Sequence, residues 1–151
     1  MQQERYMRRA MELAELGRGW TKTNPVVGAV LVKEDRIIGE GYHKKFGGLH
    51  AEREALADCR SRGEDPAGAD LYVTLEPCCH YGKTPPCTQA VIEAGISHVF
   101  VGAKDINPLV AGGGIRQLRE QGILVTEGVL QEECEYQNRV FFHYIQQNCH
   151  M

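Results

Sequence analysis

From residue 51 onward the chain alternates between two kinds of segment, and this alternation limits the possible fold more than any other feature. "AEREALADCRSRG" (51–63), "CTQAVIEAG" (87–95) and "GIRQLREQG" (114–122) carry helical spacing and each closes on a glycine. Between and after them, "ADLYVTL" (69–75), "HVFVGA" (98–103) and "ILVTEG" (123–128) are short, apolar and rich in strand formers. Strand, helix and strand in succession require crossover connections, which produce parallel pairs with helices on the sheet faces. The expected class is α/β, with a largely parallel sheet covered on both sides.

The segment before residue 51 adds a helix and two strands. "YMRRAMELAELG" (6–17) places Met7, Ala10, Met11 and Ala14 on one face and stops at Gly17. "VVGAVLV" (26–32) and "RIIGEGYH" (36–43), joined across Lys33-Glu34-Asp35, read as a hairpin. A final helical pattern runs from about Leu130 to Gln146. With 151 residues, 42% hydrophobic content, and neither a repeat nor a dividing linker, residues 1–151 are expected to form one domain that builds its core without staples.

The chemistry concentrates in "TLEPCCHYGKTPPC" (74–87), where three of the six cysteines fall together with a histidine and three prolines. An even cysteine count in a secreted chain would suggest disulfides. Here no apolar run follows the N-terminal charges, and no window approaches the roughly 20 apolar residues of a membrane span, so the cytoplasm is the expected location and membrane partners are not expected. In that reducing compartment, clustered cysteines point to metal binding or catalysis. A net charge of −3 without a long Lys/Arg run also argues against nucleic acid and for a small partner.

Cys78 follows the strand 69–75, Cys87 opens the next helix, and "LHAEREAL" places His50 and Glu52 where the helix after the hairpin begins. In open α/β sheets ligands bind beyond the carboxyl ends of parallel strands, where such positions converge. One imidazole and two thiolates give Zn²⁺ three protein ligands and leave the fourth position for water, as in catalytic zinc sites. His50 and Glu52 are about 200° apart around a regular helix, so they can face one ion only from its first turn. From there Glu52 can take a proton from a metal-activated water and later hand it to a leaving group.

H-A-E (50–52), P-C (77–78) and P-C (86–87) resemble the cytidine deaminase-like zinc hydrolases, whose general signature is H-x-E with a later P-C-x-x-C. The eight residues between Cys78 and Cys87, in place of two, make the segment similar to the riboflavin-pathway deaminases that act on diaminohydroxyphosphoribosylaminopyrimidine. The similarity extends to "NPVVGAVLV" (24–32), "GEGYH" (39–43) and "DINPLVAGGG" (105–114). It implies a three-layer α/β/α fold around a mixed sheet of about five strands, with 1–151 as a zinc-dependent CMP/dCMP-type deaminase domain. The implied reaction is hydrolytic removal of the 2-amino group of 2,5-diamino-6-(5-phosphoribosylamino)pyrimidin-4(3H)-one as ammonia. The uracil counterpart is the product.

Carried over by position, the resemblance makes His50, Cys78 and Cys87 the zinc ligands and Glu52 the proton shuttle. Asn24, His80 and His43 would contact the base, Lys83 the phosphate, and Asp105 and Asn107 the ribose hydroxyls. It also implies a nicotinamide-dependent reductase, fused or separate, and homo-oligomers. Cys79 stands where the family usually has serine, and neighbouring side chains in an extended loop point apart, so it is read as a bystander. Cys59 and Cys134, within helical segments, are read as small buried apolar residues. The Gly112-Gly113-Gly114 run is read as a turn that could also offer backbone N–H groups to an anion. Three rivals remain: a structural zinc module, a related deaminase of cytosine, guanine or tRNA adenine, and a non-catalytic pyrimidine binder.

Overall fold

The computed structural model describes residues 2–18, 26–43, 50–77, 86–104 and 111–138. In chain order the elements are α1 (Gln2–Leu16), β1 (Gly28–Lys33), β2 (Arg36–Tyr42), α2 (Ala51–Ser61), β3 (Asp70–Leu75), α3 (Cys87–Glu93), β4 (His98–Ala103), α4 (Gly113–Glu120) and β5 (Leu124–Thr126). Residues 131–138 form one more helix, α5. The strands make one sheet in the order β2-β1-β3-β4-β5.

That sheet is mixed. β1 pairs antiparallel with both β2 and β3, whereas β3–β4 and β4–β5 are parallel. The expectation of a largely parallel sheet holds only for its second half, and the mixed five-stranded form is the one observed. Because β2 and β3 both run opposite to β1, they run the same way as each other. The crossover through α2 therefore joins two like-directed strands, but it passes over β1, which lies between them.

Strand alternation divides the core in two, because successive side chains leave the sheet on opposite faces. Ala29, Leu31, Leu71, Val73, Val99 and Val101 pack with Ala55, Leu56, Val91, Ile115 and Leu118 of α2, α3 and α4. Val30, Val32, Tyr72 and Phe100 pack on the other face with Tyr6, Met7, Ala10 and Leu13 of α1 and Cys134 of α5. Both faces being covered is why the strands read as unbroken apolar runs rather than as polar–apolar alternation. The second face also carries the His98 ring, stacked on Phe100 at 4.0 Å and hydrogen-bonded through Nε2 to Thr126 Oγ1 at 2.6 Å.

Two local features aim the elements toward one end of the sheet. The hairpin turns through Glu34 and Asp35 at φ 53° and 60°, the left-handed pair that matches strand twist. On β2, "GEG" keeps side chains out of the α2 contact: a Cβ at Gly41 would lie 2.4 Å from the Ala55 nitrogen, and one at Gly39 would lie 2.6 Å from the Ala55 oxygen. Only glycine lets α2 lie this close. The helix thus starts beside the end of β2, carrying His50 and Glu52 with it.

Candidate active site

Three of the histidine and cysteine positions singled out in the sequence come together. His50 is the N-cap of α2, with extended φ/ψ of −72° and 162° and no side-chain capping bond. Its Nδ1 lies 3.0 Å from Sγ of Cys87, the first residue of α3. His43, buried just past β2, presents its ring edge-on to His50, with centroids 5.6 Å apart and planes at 81°. Glu52 lies in the first turn of α2 and is only 4% exposed. Asn24, Cys78, His80, Lys83, Asp105 and Asn107 lie outside the described residues, as does Cys79.

The donor chemistry fits a borderline divalent ion. A tetrahedral zinc with a nitrogen at about 2.0–2.1 Å and a sulfur at about 2.3 Å holds them about 3.6 Å apart, so a small rotation from 3.0 Å admits it. Among the described residues no group of three His, Cys, Asp or Glu side chains is close enough to hold a metal. The third donor expected from the sequence, Cys78, belongs to the undescribed segment. Cys59, Cys87 and Cys134 are thiols rather than half-cystines.

The thiols differ by location. Cys134 and Cys59 are wholly buried in the two cores. Burial pushes Cys134 up to about 12 and also raises Cys59. Thiols held protonated in this way are inert packing groups, as their helical positions suggested. Gly102 leaves room for the Cys134 sulfur, which would be 2.4 Å from a Cβ there.

Sequence reasoning missed Glu76, the glutamate of "TLEPC". It is 5% exposed, and its two oxygens accept different backbone N–H groups: Oε1 from Gly112 at 2.9 Å and Oε2 from Ile115 at 3.0 Å. Gly112 is the N-cap of α4, at φ 86°, and has no side chain to cap with. Glu76 supplies the cap from just past β3, and the negative charge suits the positive end of the helix. The glycine run therefore offers one N–H, that of Gly112, to an internal anion, and Ile115 just past the run offers the second.

Two further contacts hold the surroundings. Arg53, next to Glu52, donates from Nη2 to the Pro86 carbonyl at 3.3 Å. Asn138 of α5 pairs with the backbone of Val26, accepting from its N–H at 2.9 Å and donating to its C=O at 3.3 Å. Val26 lies two residues past Asn24, so this buried amide anchors the chain that enters β1. Separations of 112 residues leave no local signal for such a pair.

Comparisons with known proteins agree with the geometry. The model of the cytidine and deoxycytidylate deaminase zinc-binding region matches residues 1–103. The riboflavin biosynthesis protein RibD of Actinobacillus pleuropneumoniae is 59% identical over 93% of this chain, which spans 37% of that protein's length. The diaminohydroxyphosphoribosylamino-pyrimidine deaminase of Buchnera aphidicola is 47% identical, with 91% of each chain covered. The crystal structure of a diaminohydroxyphosphoribosylaminopyrimidine deaminase/5-amino-6-(5-phosphoribosylamino)uracil reductase from Thermotoga maritima superposes with a TM-score of 0.89 at 51% identity. It covers 97% of this chain and 42% of its own. The chain belongs to the cytidine and deoxycytidylate deaminase zinc-binding family.

Proposed function

We propose that this chain hydrolytically deaminates 2,5-diamino-6-(5-phosphoribosylamino)pyrimidin-4(3H)-one in riboflavin biosynthesis. The observation that carries the reading is the convergence of His50 Nδ1 and Cys87 Sγ at 3.0 Å, with the Glu52 carboxyl buried in the same helix turn. The Actinobacillus, Buchnera and Thermotoga relatives supply the substrate by analogy.

In this reading His50, Cys78 and Cys87 would hold Zn²⁺, which when bound would supply a water of lowered pKa. Glu52 accepts a proton from that water as its oxygen bonds to C2 of the pyrimidine. It then delivers that proton to the 2-amino nitrogen as the C–N bond breaks; ammonia leaves, and the remaining hydroxyl proton moves to a ring nitrogen so that C2 becomes a carbonyl. Its buried place at the start of α2 keeps the carboxyl oriented through both transfers. His43, Asn24 and His80 orient the base. Lys83 meets the phosphate dianion, and Asp105 and Asn107 the ribose hydroxyls. The reducing cytoplasm suits a site that needs unpaired thiolates, and a nicotinamide-dependent reductase, fused or separate, takes the product onward.

Incubating the zinc-loaded protein with this substrate and following ammonia tests the proposal. Release from the phosphoribosylated diaminopyrimidinone, with little from cytidine or dCMP, is expected. Faster release from cytidine or dCMP would move the assignment to another branch of the family. Lys83→Ala should weaken the phosphorylated substrate far more than its unphosphorylated analogue.

A further inference from the structure

The short stretch between β3 and Cys78 is gripped more tightly than the end of a strand requires. Glu76 donates its backbone N–H to the Ala103 carbonyl at 2.9 Å, prolonging the parallel β3–β4 pairing. Its side chain reaches the other way, to α4, where the two carboxylate oxygens take the N–H groups of Gly112 and Ile115. Under the next residue, Gly114 has no side chain because a Cβ there would lie 2.1 Å from the Pro77 carbonyl oxygen and 3.2 Å from Glu76 Cγ. Glu76, Pro77 and the first turn of α4 thus interlock, and the polypeptide leaves this contact directly into Cys78.

The other end of the segment is tied to the same helix. Thr88, one residue after Cys87, hydrogen-bonds through Oγ1 to Gln117 Oε1, one turn along α4 from Gly113. Arg53 holds the Pro86 carbonyl from α2. α4 contributes no residue to the expected metal shell, yet it touches the chain beside both expected cysteine ligands.

We propose that Glu76 is a positioning residue for the metal centre: by locking residues 76–77 onto the first turn of α4, it sets where Cys78 meets His50 and Cys87. The proposal rests on the reading of Cys78 as a ligand. A carboxylate is needed because both of its oxygens accept. The amide of glutamine has one acceptor oxygen and would turn an NH₂ group toward the second N–H. Aspartate is one methylene too short to span the same pair from β3. Groups that orient metal ligands in this way typically change metal affinity by about 10–100-fold when replaced.

The test compares wild type, Glu76→Gln and Gly114→Ala in full-length protein. Zinc affinity is measured by chelator competition, ligand geometry by the visible spectrum of the cobalt(II)-substituted protein, and folding by circular dichroism. The expected result is a native far-ultraviolet spectrum, a zinc affinity lower by about tenfold or more, and an altered cobalt spectrum in both variants. In the deaminase assay kcat should fall with KM little changed. Wild-type affinity and an unaltered cobalt spectrum in Glu76→Gln would overturn the proposal. So would failure of both variants to fold even in excess zinc, because the contact would then serve general stability. Should Glu76→Gln alone fail to fold, Gly114→Ala decides by the same readouts. The metal measurements do not involve substrate, so absent ammonia release by wild type would defeat the assigned reaction and leave Glu76 to be judged separately.

Discussion

Two buried glutamates flank the expected metal ligands in mirror fashion, Glu52 two residues after His50 and Glu76 two residues before Cys78, and they are built for different work. Both are almost wholly shielded, at 4% and 5% exposure. Glu76 has each oxygen on a backbone N–H at the start of α4, an arrangement that fixes an anion and its surroundings. Glu52 rides in the first turn of α2, two residues after the histidine whose imidazole approaches Cys87 to 3.0 Å. Burial alone does not mark an acid as catalytic. The Glu76 carboxyl is spent on backbone donors, whereas proton transfer is the work proposed for Glu52.

The contrast can be broken most severely by removing what Glu52 has beside it. Cys87→Ser should lower zinc affinity by at least about a hundredfold and abolish ammonia release, both read on purified protein. Stability separates the acids next. Glu76→Ala leaves two helix N–H groups without their acceptor and should lower unfolding free energy by about 2–4 kcal/mol in urea titration. Equal loss from Glu52→Gln would erase the distinction. Arg53→Ala removes one hydrogen bond to Pro86, so a smaller cost of about 0.5–1.5 kcal/mol is expected, with a modest fall in zinc affinity.

A separate effect appears only at alkaline pH and concerns the face opposite α2. Burial pushes the Cys134 thiol and the Tyr72 phenol each up to about 12. In the unfolded chain both ionise at lower pH, so that state releases protons first and gains as pH rises. Stability should therefore be unaffected by these groups near neutrality and decline from about pH 9 toward pH 12. Cys134→Ala should flatten the early part of that decline in thermal melts; an unchanged profile would show that the thiol ionises as easily folded as unfolded.

The sequence carried some of this plainly and hid the rest for physical reasons. The meeting of His50 and Cys87 was legible because metal chemistry admits few residue types and because each sits at an element boundary marked by local signals. The helices and strands were legible from periodicity, although α1 begins a turn earlier than Tyr6 and β5 shrinks to Leu124–Thr126. The antiparallel β1–β3 neighbours were not, since pairing between strands separated by α2 leaves no local trace. Glu76 carried no local signal and the glycine run reads as a turn, because the contacts between them span 36 and 39 residues.

The central claim, that Glu52 moves protons at a metal it does not hold, is tested most directly by measuring bound zinc and ammonia release side by side for wild type and Glu52→Gln. The account predicts one zinc per chain in both proteins, and ammonia release reduced by about 10²–10⁴-fold in the variant. Equal rates from the two zinc-loaded proteins, or loss of the metal on this substitution, would contradict it.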